Sequence, residues 1–272
     1  MTSISVNHTT LANGITLPYA EVGNPEGTTV LFLHAFGDSW RSFETVLQHF
    51  PSYLHGYALT QRGHGDADRP WGSYRPEDMA MDVVDFMDRN QIPQAVLVGH
   101  SSGSMVAQIV ASQQPDRVLG LALIGAPATF ADKPGVAALW QAVSALEDPV
   151  ERDFIEKAHG SNLIQPVPME FMEVMTVESL KVPARVLKET LRGILDTDPS
   201  ATLNQIAAPT LLVWGDHDVI TPRADQDIII RGVSGSRLLA YEDAGHMVHW
   251  EYPDRIAKDI ATFISGLEET QC

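Results

Sequence analysis

The stretch Val96–Gln108, VLVGHSSGSMVAQ, decides how this chain reads. An apolar run ends at Gly99, a second and helix-friendly run starts at Met105, and only small or polar residues lie between. A strand that feeds straight into a helix must turn sharply, and glycines two positions either side of Ser101 remove the Cβ atoms that would collide there. The apex residue is then held out at a helix N-terminus, where converging N–H groups favour negative charge. That geometry suits an attacking oxygen and a developing oxyanion. The bare pattern G-x-S-x-G is weak, because small residues cluster in loops; set between a strand and a helix it becomes specific.

Working outward, short β-type runs alternate with helical patterns. The segment TTLANGITLPYAEVG reads as a hairpin turning at Asn13-Gly14. The runs 28–33, 56–59, 95–98, 118–124, 210–214 and 237–241 read as strands, and 42–50, 76–90, 102–114 and 253–267 as helices. Pro76 and Pro253 stand where a first helical turn tolerates a missing N–H. Near-continuous apolar strands alternating with helices predict an α/β fold, a mostly parallel central sheet with helices on both faces. From Pro127 to about Ala208 the rhythm breaks into helical pieces punctuated by prolines. Eighty residues is too long for a bare loop, so a helical insert is expected between the sixth and seventh strands. Core segments 1–126 and 209–272 would then flank a lid at 127–208. Its Met169, Phe171, Met172 and Met175 either line an apolar pocket or pack the insert's own small core.

A serine hydroxyl needs a base. Of ten histidines, His246 in DAGHMVHWEYPDR falls between the last strand and the last helix, at the same sheet edge as Ser101. His249 is its rival and reads as a packing residue beside Trp250; His100 adjoins the serine but points elsewhere on a tight turn. The base needs a carboxylate to set its tautomer, and LLVWGDHDVITP offers Asp216 and Asp218. Asp218 reaches further past the strand and is the choice; Asp216 reads as a turn residue bonding its own backbone. Another place for this acid, after the preceding strand, holds Gly125. Backbone N–H groups of Phe36, in LFLHAFGDSW, and of Ser102 are the expected oxyanion donors.

The order Ser101, Asp218, His246 resembles that of the α/β-hydrolase superfamily, and the likeness spans nearly the whole chain. HAFG is similar to the family's oxyanion loop, QRGHGDADRP to its turn after the next strand and GHSSGS to its nucleophile elbow. WGDHDVITP is similar to the acid loop and GHMVHWEYP to the histidine loop. The resemblance implies that Asp218 is the triad acid and that the insert is the family's helical lid. Two positions depart from the pattern: Ala35 stands where glycine is usual, and Gln61 where an acidic residue is usual. Arg62, Gly63 and Gly65 keep to it and look structural. In this superfamily haloalkane dehalogenases and epoxide hydrolases attack with aspartate, whose place Ser101 takes. HAFGDS does not match the HGGPG-like loops of proline iminopeptidases and ring-cleavage C–C hydrolases, and the HxHxDH cluster of a metal-dependent lactonase is absent.

The expected activity is therefore hydrolysis of a small, largely apolar carboxylic ester or lactone through an acyl-enzyme, with no cofactor and no metal. The alternatives are C–C bond hydrolysis or cofactor-free haloperoxidase chemistry on the same triad, and a slow-turnover small-molecule receptor. Composition narrows the partners. With 35 acidic against 18 basic residues the net charge is −17, which opposes nucleic acid and anionic lipid. No apolar run reaches the roughly 18 residues of a membrane span, and MTSISVNHTT has no signal-peptide pattern. The single cysteine, Cys272, rules out an internal disulfide framework and, at a fraying end, is a poor nucleophile. A cytoplasmic location is expected, and nothing in the pattern calls for a second chain.

Overall fold

The computed structural model describes residues 3–131 and 133–271, so Cys272 lies outside the described residues. Eight strands form one sheet: β1 (Ser5–Thr10), β2 (Thr16–Gly23), β3 (Thr29–Leu33), β4 (His55–Leu59), β5 (Ala95–His100), β6 (Val118–Ile124), β7 (Thr210–Gly215) and β8 (Arg237–Tyr241). Their spatial order is β1-β2-β4-β3-β5-β6-β7-β8. The β1–β2 and β2–β4 pairs are antiparallel and every other pair is parallel. The hairpin turns through Leu11–Ile15 rather than through a two-residue turn. Only Gly14 takes a positive φ (84°), and the Leu11 N–H closes the loop on Ile15 O at 2.8 Å.

Ten helices accompany the sheet among the described residues: α1 (Glu44–Gln48), α2 (Pro76–Arg89), α3 (Ser102–Gln113), α4 (Pro134–Ser144), α5 (Arg152–Gly160), α6 (Met169–Leu180), α7 (Ala184–Asp196), α8 (Arg223–Gly232), α9 (Val248–Glu251) and α10 (Pro253–Gln271). Alternation along each strand sends successive side chains to opposite faces, and two buried clusters result. Leu31, Leu33, Leu97, Leu121 and Leu123 pack with Val83 and Phe86 of α2 and Met105 and Val106 of α3. Val30, Phe32, Val96, Val98 and Ile124 pack with Val46 and Leu47 of α1 and with Ile256 and Ile260 of α10. Both faces are thus dry, which is why the central strands read as unbroken apolar runs.

Helices α4–α7 lie between β6 and β7. Val143, Ile155, Val186, Leu187 and Leu191 join the first cluster, so the insert shares its apolar interior with the sheet. The methionine run follows neither expectation as a whole. Met175 and Phe171 pack against Met247 and Trp250 of the histidine loop, whereas Met169 is exposed. Helix α8 has no counterpart in the sequence reading, because three consecutive isoleucines, Ile228–Ile230, carry no 3.6-residue periodicity. No helix of the described residues is long and apolar enough to cross a membrane.

Candidate active site

Strand β5 runs to His100 and α3 begins at Ser102, which leaves Ser101 alone at the junction with φ 52° and ψ −118°. Such a conformation costs a side-chain-bearing residue energy, and packing around the bend holds it. A Cβ on Gly99 would come within 2.5 Å of Gly103 O, and one on Gly103 within 2.2 Å of Leu33 O. The two glycines therefore let α3 start directly over β3 and β5. The Ser101 N–H bonds Ile124 O at 3.0 Å, tying the bend to the end of β6.

His246 lies in the loop between β8 and α9. Its Nδ1–H donates to Asp218 Oδ2 at 2.8 Å, and both residues are 5% exposed. Thr221 Oγ1 donates to the same oxygen at 2.6 Å, while the N–H groups of Ile220 and Thr221 donate to Oδ1, each at 2.8 Å. Burial alone would push the Asp218 carboxyl up; the His246 charge and the hydrogen bonds from His246 and Thr221 together hold it below the usual carboxylate range. The loop-bonding turn role expected of Asp216 thus belongs to Asp218. Asp216 is exposed, with its carboxylate 3.7 Å from His217.

The Ser101 bend and the His246–Asp218 pair both border the end of β6. Gly125 follows Ile124, and a Cβ there would stand 3.1 Å from His246 Nδ1 and 3.3 Å from Asp218 Oδ2. The position that could have carried an alternative acid is thus occupied by the histidine–aspartate contact itself. Among the described residues the Ser101 hydroxyl has no hydrogen-bond partner, so the contact from Ser101 Oγ to His246 Nε2 is not closed. Such contacts commonly run long without substrate and tighten in the Michaelis complex.

His100 and His249 pack around the histidine loop. His100 Nε2–H donates to His246 O at 3.0 Å, and its ring lies between those of His246 and His249, with centroids 4.9 and 4.2 Å away. His249 reaches Ser42 Oγ at 3.0 Å, a contact across the fold rather than a local one, and Trp250 Nε1 also donates to Ser42. Burial pushes His100 down to about 3 and holds His249 well below the usual imidazole range. Both are neutral at physiological pH.

Sequence reasoning missed Glu251. Its Oε2 accepts the Gly245 N–H at 2.8 Å, and its Oε1 accepts the N–H groups of Ile164 at 2.6 Å and Gln165 at 3.3 Å. With the His246 N–H bonded to Asn162 O at 3.1 Å, one carboxylate joins the histidine loop to the α5–α6 connection of the insert. A glutamate two residues before the helix predicted at 253–267 gives no hint of such partners.

Phe36, in the loop after β3, and Ser102 line the same small cavity. Ser102 is the first residue of α3, where an N–H has no intrahelical acceptor, and among the described residues the Phe36 N–H also lacks one. The phenylalanine side chain is half-buried against the core. Gln61, the departure from the usual acid, fits its place by donating: its Nε2–H bonds His34 O at 2.8 Å, and its backbone N–H bonds His34 Nε2 at 2.9 Å. Two carboxylate oxygens could not make the first bond. Arg62 holds Asp82 of α2 through Nε at 2.5 Å and Nη2 at 2.6 Å, a buried bidentate pair that anchors the turn. No group of three or more histidine, cysteine or acidic residues positioned for a metal ion occurs among the described residues.

Residues 30–259 match the model of the alpha/beta hydrolase family. The 3-oxoadipate enol-lactonase 2 of Acinetobacter baylyi is 26% identical over 250 residues, covering 90% of this chain and 91% of the relative. Epoxide hydrolase 4 of Homo sapiens is 25% identical over 296 residues, 95% of this chain and 78% of the relative. The solved esterase of Exiguobacterium antarcticum superimposes with a TM-score of 0.85 at 19% identity, covering 96% of this chain and all (100%) of that one. With the family model spanning most of the sequence, the sheet order and the strand–serine–helix bend have a common source: the chain belongs to the α/β-hydrolase family.

Proposed function

We propose that the protein is a serine hydrolase of small, largely apolar carboxylic esters, lactones included. The observation that carries this reading is the buried His246–Asp218 hydrogen bond of 2.8 Å and a strained serine at the head of α3, both bordering the end of β6. Ser101 Oγ attacks the carbonyl carbon while His246 Nε2 takes its proton, and Asp218 fixes the Nδ1–H tautomer and balances the imidazolium. The N–H groups of Phe36 and Ser102 hold the oxyanion, a role worth about 3 kcal/mol per donor. The tetrahedral adduct collapses as His246 returns the proton to the leaving alkoxide oxygen. Water then attacks the acyl-enzyme, gives its proton to His246, and the acid departs as Ser101 is reprotonated. In a lactone the leaving alcohol stays attached to the acyl part, so acid and alcohol leave as one molecule.

The similarity to an enol-lactonase supports lactones within the substrate class. Similarity to an epoxide hydrolase does not move the reading, because a serine stands at residue 101. Residues 127–208 act in this proposal as a lid on the core formed by 1–126 and 209–272. Their position between β6 and β7 and the Glu251-mediated bonds to the histidine loop support that role. A cytoplasmic location completes the proposal, consistent with one cysteine in the chain. The test is Ser101→Ala against a panel of p-nitrophenyl esters and lactones. Turnover should fall to background in the variant, and wild-type-like turnover would end the proposal.

A further inference from the structure

Beside the oxyanion loop lies a cavity of about 10 Å³, room for one water-sized group. Phe36, Ser102, Gln61, His64 and Thr190 are among the residues that line it. Thr190 belongs to α7, so the cavity sits where the insert meets the core. These last three residues are 5%, 1% and 2% exposed. Each carries a side-chain atom with no hydrogen-bond partner: Gln61 Oε1, His64 Nε2 and Thr190 Oγ1. Buried polar atoms are almost always paired, so three unpaired atoms on residues that line one cavity point to a missing group.

The neighbours fix what that group must offer. Gln61 keeps its Nε2–H on His34 O at 2.8 Å, which leaves Oε1 as a pure acceptor. His64 Nδ1–H donates to Arg62 O at 2.9 Å, so its Nε2 carries a lone pair. Burial pushes His64 down to about 4, and it therefore stays an acceptor at physiological pH. Thr190 supplies a hydroxyl that both donates and accepts. A carboxylate would set lone pairs against the lone pairs of Gln61 and His64. An ammonium would be buried with no carboxylate on the wall to balance it.

We propose that this cavity is a subsite for a neutral hydrogen-bond donor, an O–H or N–H group supplied by the acyl part of the substrate or by a water. A water matches all three orphans, with two O–H bonds to Gln61 and His64 and a lone pair for Thr190. A substrate hydroxyl donates to one acceptor and accepts from Thr190. The substrate arm rests on the serine-hydrolase reading, since Phe36 and Ser102 border both the cavity and the reacting carbonyl; the water arm does not.

The experiment pairs methyl butyrate with methyl 2-hydroxybutyrate, methyl 3-hydroxybutyrate and monomethyl succinate, in the wild type and in Thr190→Val, with a crystal structure of the wild type. For the substrate arm, one hydroxy ester is preferred over butyrate, the succinate monoester is disfavoured, and Thr190→Val lowers the hydroxy-to-plain ratio by about tenfold, the scale of one buried hydrogen bond. For the water arm, the esters are not discriminated, but an ordered water lies within about 3.2 Å of both Gln61 Oε1 and His64 Nε2. No discrimination together with an empty cavity overturns the proposal. If the wild type hydrolyses no ester and Ser101 resists a fluorophosphonate, the serine-hydrolase reading and the substrate arm fall together. The crystal structure then decides the water arm alone.

Discussion

Replacing Asp218 by asparagine separates the role of the carboxylate from its shape. Oδ1 faces two backbone donors, Ile220 and Thr221 N–H, each at 2.8 Å. The amide of Asp218→Asn must therefore keep its oxygen on that side. Its NH2 then takes the place of Oδ2, 2.8 Å from His246 Nδ1, and presents a proton where the imidazole now donates one. The ring can answer only by moving its own proton to Nε2, the atom required to accept from Ser101. A tautomer inverted in this way costs about 10⁴-fold in turnover in a serine triad, equivalent to about 5 kcal/mol of transition-state stabilisation. The fold loses far less. One charge-assisted hydrogen bond is exchanged and Thr221 can turn its hydroxyl, so about 1–3 kcal/mol of stability is at stake. The assay is kcat/KM on a p-nitrophenyl ester, with a thermal melt to show that the variant is folded. A folded Asp218→Asn variant retaining more than about a tenth of wild-type kcat/KM would refute the reasoning, because the tautomer would then not matter.

Other expected outcomes follow from the same geometry. Gly125→Ala places a methyl 3.1 Å from His246 Nδ1 on a residue with φ 51°. It should cost about 1–2 kcal/mol in stability from the left-handed backbone and lower kcat/KM by about 10–100-fold as the ring shifts; a denaturant curve and steady-state kinetics check both. Glu251→Gln replaces one acceptor oxygen with a donor facing backbone N–H groups. It should lower kcat by about tenfold with KM less affected, and hydrogen exchange should quicken at Gly245, Ile164 and Gln165, whose amides it holds. Acid should unfold the protein early. Burial holds His64 and His159 down at about 4 and His100 at about 3. The unfolded chain therefore binds protons first, and stability falls as pH drops below 6.5 toward those values. At pH 5 each of these three histidines costs about 2 kcal/mol. Urea unfolding at pH 7 and pH 5 should show the loss, and His159→Gln should recover part of it at pH 5 only; a flat profile contradicts the assignment.

How much of this could be read from the sequence depends on the range of the interactions involved. Strands β3, β5, β6 and β7 are buried on both faces, so their apolar runs announce themselves. Gly99, Ser101 and Gly103 act within five residues, and a local motif carries local geometry. Reach past the strand favours Asp218 over Asp216; in the fold Asp218 is buried and Asp216 exposed. The turn bonds expected of Asp216 fall to Asp218: both aspartates sit in the same loop, and only the fold shows which one curls back onto Thr221. Helix α8 is hidden by its consecutive isoleucines. What stays silent in sequence is long-range: His249 meets Ser42 across 207 positions, and Glu251 meets Ile164 across 87. The cavity wall draws Phe36, Gln61, Ser102 and Thr190 from four separate segments. No spacing rule encodes such meetings; they exist only once the sheet and the insert are packed.

The proposed activity depends above all on Ser101 as an acyl-accepting nucleophile. The most direct measurement is reaction with a fluorophosphonate followed by intact mass and peptide mapping. It should find one adduct per chain, on the peptide containing Val96–Gln108 and on the Ser101 oxygen, with modification abolished in Ser101→Ala. No adduct on folded protein, or an adduct on another residue that persists in Ser101→Ala, would contradict it.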